Sequence, residues 1–61
     1  MRNATYERIL NDIESRMQML YNSHDIDGYN AAKRNGDELY AAIVAEGYSI
    51  SEADGTYVVS R

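Results

Sequence analysis

Between Tyr48 and Ser60 two alternating runs flank Asp54-Gly55, the dipeptide that best suits a two-residue type I′ hairpin, because both turn positions need a positive φ. A turn of that type fixes the pairing. Ala53 faces Thr56, Glu52 faces Tyr57, Ile50 faces Val59 and Tyr48 faces Arg61. Tyr48, Ile50, Tyr57 and Val59 then share one face, while Ser49, Ser51, Thr56, Val58 and Ser60 share a wet one. Pattern and turn chemistry specify the same hairpin over residues 48–60. A lone two-stranded hairpin is marginal in water, so the rest of the chain must cover its apolar face.

The preceding sequence supplies helices for that purpose. Tyr6, Leu10, Ile13, Met17 and Leu20 recur at alternating steps of four and three residues, with Ile9 and Tyr21 widening the stripe. This spacing predicts a long N-terminal amphipathic helix over residues 4–22, with Asn3 as its N-cap and Asn22-Ser23 as a polar stop. The turn His24-Asp25-Ile26-Asp27-Gly28 leads into a second helix over residues 28–46, closed by Gly47 in the position that favours a left-handed backbone. Tyr29, Ala32, Gly36, Leu39, Tyr40, Ile43 and Val44 keep the helical rhythm throughout. Against continuity stands Asn35-Gly36-Asp37: glycine costs about 1 kcal/mol inside a helix, and Asp37 is a good cap for a separate one. The rhythm favours one interrupted helix. The expected fold is a single α+β domain spanning residues 1–61.

At 61 residues and without cysteine, such a domain has one small core and no disulfide to reinforce it. Self-association is the remaining way to add buried area. Tyr6, Leu10, Ile13, Met17 and Leu20 are the expected seam of a homodimer, since their spacing is also that of a coiled coil. The missing cysteines point to a cytoplasmic location. No apolar run is long enough for a membrane span, and Arg8, Asp12, Glu14 and Arg16 interrupt the segment where a signal peptide would be apolar.

Few residues are set for chemistry. Aligning Gly28 with the invariant glycine of a calcium loop puts Ser23, Asp25 and Asp27 at plausible ligand positions, but Arg34 falls where a bidentate Glu is required. His24 is the sole histidine and cannot build a common zinc site without cysteine. Neither a nucleophile motif nor a phosphate-binding glycine loop is present. No catalytic, cofactor-binding or metal site is expected, and the protein is read as a non-enzyme.

From residue 28 onward the order helix, helix, Gly-Tyr, hairpin resembles the end of a winged helix-turn-helix domain, with Asp37 to Glu46 as the recognition helix and Asp54-Gly55 as the wing tip. That resemblance implies a dimeric DNA-binding transcriptional regulator, which is the alternative reading. Charge opposes it. The net charge is −4, and Asp37, Glu38, Glu46, Glu52 and Asp54 stand where such proteins present cations, leaving Lys33, Arg34 and Arg61 to meet phosphate. The favoured expectation is a small acidic protein–protein interaction module, a dimeric regulator or inhibitor of a larger protein. Its partner-binding residues are expected to be Tyr21, Asp25, Asp27, Tyr29, Asp37 and Glu38, since tyrosines flanking an acidic turn suit a recognition surface.

Overall fold

The computed structural model describes residues 2–61. Two helices are followed by one antiparallel hairpin: α1 (Arg2–Asn22), α2 (Ile26–Ala45), β1 (Ser49–Ala53) and β2 (Thr56–Ser60). Asp54 and Gly55 have φ of 54° and 80°, as a type I′ turn requires. The register follows from it: Ser49 pairs with Ser60, Ile50 with Val59, Ser51 with Val58, Glu52 with Tyr57 and Ala53 with Thr56. The α+β fold and the hairpin pairing are thus as the sequence predicts. Leu10, Ile43 and Val59 form the buried centre of the core, with Tyr6, Leu39, Tyr48, Ile50 and Tyr57 packed around it.

The N-terminus of α1 differs from expectation. Asn3 lies inside the helix rather than capping it, and its side-chain amide reaches across to the Val59 carbonyl at 3.4 Å. The second helix starts two residues earlier than Gly28. The Asp25 carboxylate accepts the Gly28 N–H at 2.9 Å, so Asp25 is the N-cap and the helix begins at Ile26. It then runs unbroken through Asn35-Gly36, so the two-helix order of a helix-turn-helix is not formed. Gly36 is kept small by packing instead. A Cβ there would lie 3.2 Å from Cγ2 of Ile13, which identifies the place where the two helices approach closely.

Both helices end in the same way. At the end of α1 the Asp25 N–H bonds to the Leu20 carbonyl at 2.9 Å and the His24 N–H to that of Tyr21 at 3.1 Å. At the end of α2 the Tyr48 N–H bonds to Ile43 at 3.3 Å and the Gly47 N–H to Val44 at 3.0 Å. These are Schellman motifs, in which one residue must take the left-handed conformation. Gly47 does so at φ 97° without a side-chain penalty, whereas His24 does so at φ 61° carrying a Cβ. His24→Gly is therefore expected to stabilise the protein by about 0.5–1 kcal/mol, the relief of strain exceeding the added freedom of the unfolded chain. A thermal melt should shift upward by roughly 3–6 °C. A downward shift would mean that the imidazole contributes more than its backbone conformation costs.

Tyr48 joins the ends of the two layers. Its ring meets that of Tyr6 edge-on, 5.7 Å between centroids, and the Arg61 guanidinium lies 4.9 Å over its face. The Tyr6 hydroxyl in turn donates to the Glu46 carboxylate at the end of α2.

Candidate functional site

Element lengths create an open face. Helices of about 20 residues are roughly 30 Å long, while five-residue strands span about 17 Å, and the whole chain measures 36 × 22 × 16 Å. The hairpin rests on the N-terminal half of α1, where Asn11 bonds both backbone groups of Tyr57: its amide donates to the carbonyl at 3.2 Å and its carbonyl accepts the N–H at 2.8 Å. Glu7 reaches the Val59 N–H at a longer 3.4 Å. Beyond Asn11 the crevice between α1 and α2 has no strand over it.

That crevice holds two adjoining pockets. The one at the turn end has a volume of about 230 Å³ and is lined by Glu14, Met17, Gln18, Tyr21 and Tyr29. Its neighbour, about 180 Å³, shares Glu14 and Met17 and continues past Gly36 and the rim residues Lys33 and Asp37 to Tyr40 and Tyr57. Together they form one groove with a Met and Tyr floor. The small residue at Gly36 deepens it where a larger side chain would meet Ile13.

Glu14 and Asp37 set two carboxylates on the rim against one ammonium, that of Lys33. Burial, then the charges of Glu14 and Glu52, raise the Tyr57 pKa above its usual value, so the phenol stays neutral further into the alkaline range. The Lys33 ammonium sits 3.3 Å from Asp37, but both side chains are well exposed and such a pair contributes little to stability. Glu14 has no comparable ion pair among the described residues.

Tyr21 and Tyr29 come together at the mouth of the groove, with ring centroids 5.9 Å apart and planes tilted by 56°. Asp37 joins them on the rim. Asp25 does not, because its carboxylate is committed to capping α2. Asp27 and Glu38 are exposed on α2 and line neither pocket. The stripe Tyr6, Leu10, Ile13, Met17 and Leu20 is at least half-buried within a single chain, with Leu10 only 3% exposed. Within the chain Leu10 and Tyr6 of this stripe belong to the core, while Ile13 and Met17 also line the groove.

Asn3, Glu7 and Asn11, spaced by four, close the outer edge of β2, and Glu14 and Gln18 extend the same polar row into the groove. The signal is present as polar residues at helical spacing, but such a row is indistinguishable from a solvated face until a strand is known to lie beside it.

Among the described residues no group of three or more His, Asp or Glu side chains is placed to hold a metal ion. No helix among them is long and apolar enough to cross a membrane. Comparison with protein families, with curated proteins and with solved structures finds no match for this chain.

Proposed function

We propose that the protein is a non-enzymatic interaction module of the cytoplasm that binds a cationic segment of another protein in the groove between α1 and α2, and thereby regulates or inhibits that partner. The observation that carries this reading is the groove left bare by the short hairpin. It combines Met17 inside and Tyr21 and Tyr29 at the mouth with Glu14, Gln18 and Asp37 at the rim. Aromatic side chains of this kind supply most of the energy in many interfaces, and rim carboxylates select basic partners and speed their encounter.

The test uses a fluorescent peptide of alternating Lys and Leu, its Glu and Leu counterpart, and backbone amide shifts measured by NMR. The cationic peptide is expected to bind and to perturb Met17, Tyr29 and Gly36, while the anionic one does not. Tyr29→Ala should weaken binding by roughly 30-fold, the loss of one hot-spot side chain of about 2 kcal/mol. Glu14→Lys should weaken the cationic peptide alone. Equal binding of the two peptides, or shifts confined to the outer face of α2, would refute the reading.

A further inference from the structure

The two edges of the hairpin are treated differently. Tyr57 directs its N–H and carbonyl at Asn11, away from β1, so Tyr57 and Glu52 form a non-hydrogen-bonded pair, as do Val59 and Ile50 two positions along. On the β1 side the corresponding groups of Ile50 and Glu52 therefore point outward. The sheet has only two strands, and among the described residues nothing bonds to that edge. An unpaired edge is a template for another strand.

The space beside it suits one. A cavity of about 300 Å³ is bounded by Tyr40, Ile50, Ser51, Glu52 and Tyr57. On the α2 flank next to it, Tyr40 and Val44 are 42% and 49% exposed. A third strand would bond to Ile50 and Glu52 and lay its inward side chains toward Tyr40.

We infer that a second copy of this chain supplies that strand, its β1 pairing antiparallel with β1 to make a four-stranded sheet across a two-fold axis. The register follows from strand length and direction. Pairing all five residues of β1 with their equivalents centres the axis on Ser51, places Ile50 opposite the second copy's Glu52, and uses the outward-pointing groups of both. It also keeps the two Glu52 side chains from facing each other. At the ends, Tyr48 meets the second copy's Asp54, so the Arg61 guanidinium stacked on Tyr48 approaches a carboxylate, twice per dimer. This charge match, together with the exposed Tyr40 and Val44, favours a second copy over an unrelated strand. The inference does not rest on the groove reading: the two sites share Tyr40 and Tyr57, but Met17, Tyr21 and Tyr29 take no part in the β1 edge.

Ser51 is exposed on the wet face, so it can be altered without touching the core. Sedimentation of the native chain across a wide concentration range is expected to show a reversible monomer–dimer equilibrium. Ser51→Cys, the only thiol in its chain, should form a disulfide-linked dimer under mild oxidation many times faster than Ser60→Cys, which is also exposed but on β2. Ser51→Lys and Ser51→Glu should each dimerise about fivefold more weakly than the native chain, as like charges face across the axis, and an equimolar mixture should recover association as a heterodimer. Circular dichroism checks that each variant stays folded, and an equimolar mixture of Ser49→Cys and Ala53→Cys chains, whose thiols face each other across the axis, is the alternative should Ser51→Cys unfold. A monomer at every concentration overturns the inference. So does a dimer whose association ignores charge at Ser51 and whose thiols link no faster there than at Ser60.

Discussion

Ile43→Ala should leave little of the protein folded. Ile43 is wholly buried at the junction of α2, α1 and β2, and truncating such a side chain costs about 2–5 kcal/mol through lost burial and the cavity that remains. A domain of 61 residues has a total stability of about 3–9 kcal/mol at typical per-residue values, so one substitution removes a large fraction. Urea titration followed by circular dichroism reads the loss as a shifted midpoint at constant slope. Ile26→Ala makes the same chemical change at a site that is 61% exposed and should cost less than about 0.5 kcal/mol. Comparable losses at the two positions would mean that the core lies elsewhere. Leu10→Asp belongs with Ile43→Ala: Leu10 is buried within one chain, so the carboxylate unfolds the monomer instead of separating two copies.

The second large effect is expected at Asn11. Its amide satisfies both the N–H and the carbonyl of Tyr57 in a partly buried position, and Asn11→Ala leaves both without a partner at a cost of about 2–3 kcal/mol. Hydrogen exchange at the Tyr57 amide should quicken well beyond that of the Val58 amide, which is bonded across to β1. Asn11→Asp sharpens the test. The ionised side chain can still accept from the Tyr57 N–H but repels its carbonyl, whereas the protonated form can donate to it. The carboxyl pKa is therefore raised by folding, so stability is greatest below the unfolded value of about 4 and falls as pH rises through the folded one. A melting temperature for Asn11→Asp that does not improve on acidification would remove the assigned hydrogen-bond pattern.

How legible the fold was depends on how far apart the deciding residues are. The hairpin could be read because Asp54-Gly55 and its alternating flanks are local and agree with one another. Continuity of α2 through Gly36 was foreshadowed by its rhythm, yet the reason glycine stands there, the approach of Ile13, belongs to another helix. Asn3 reads locally as a cap for the same kind of reason, since its partner Val59 is 56 positions away. The apolar stripe of α1 has the spacing of a coiled-coil seam and of a bundle face alike, and only the arrival of α2 and the hairpin decides between them. Of the residues that line the groove, the sequence singles out Tyr21, Tyr29 and Asp37, as partner-binding candidates rather than as parts of one crevice. Glu14, Met17 and Gln18 were not assigned to it, because the bare face exists only by virtue of the strands being shorter than the helices.

Asp25 serves both helices at once: its N–H closes α1, while its carbonyl and carboxylate bond the Tyr29 and Gly28 N–H groups of α2 at 2.9 Å. The helical pair is thus tied together by contacts only a few residues apart, which a chain can form early and at small entropic cost. Seating β2 on α1 instead joins residues separated by 46 to 56 positions. Loop closure over such a span comes late in folding, and contacts made after the transition state govern how fast a protein unfolds. The row Asn3, Glu7 and Asn11 is then expected to act as the latch of the fold, closing last and, when released, freeing the β2 edge while the helical pair still holds.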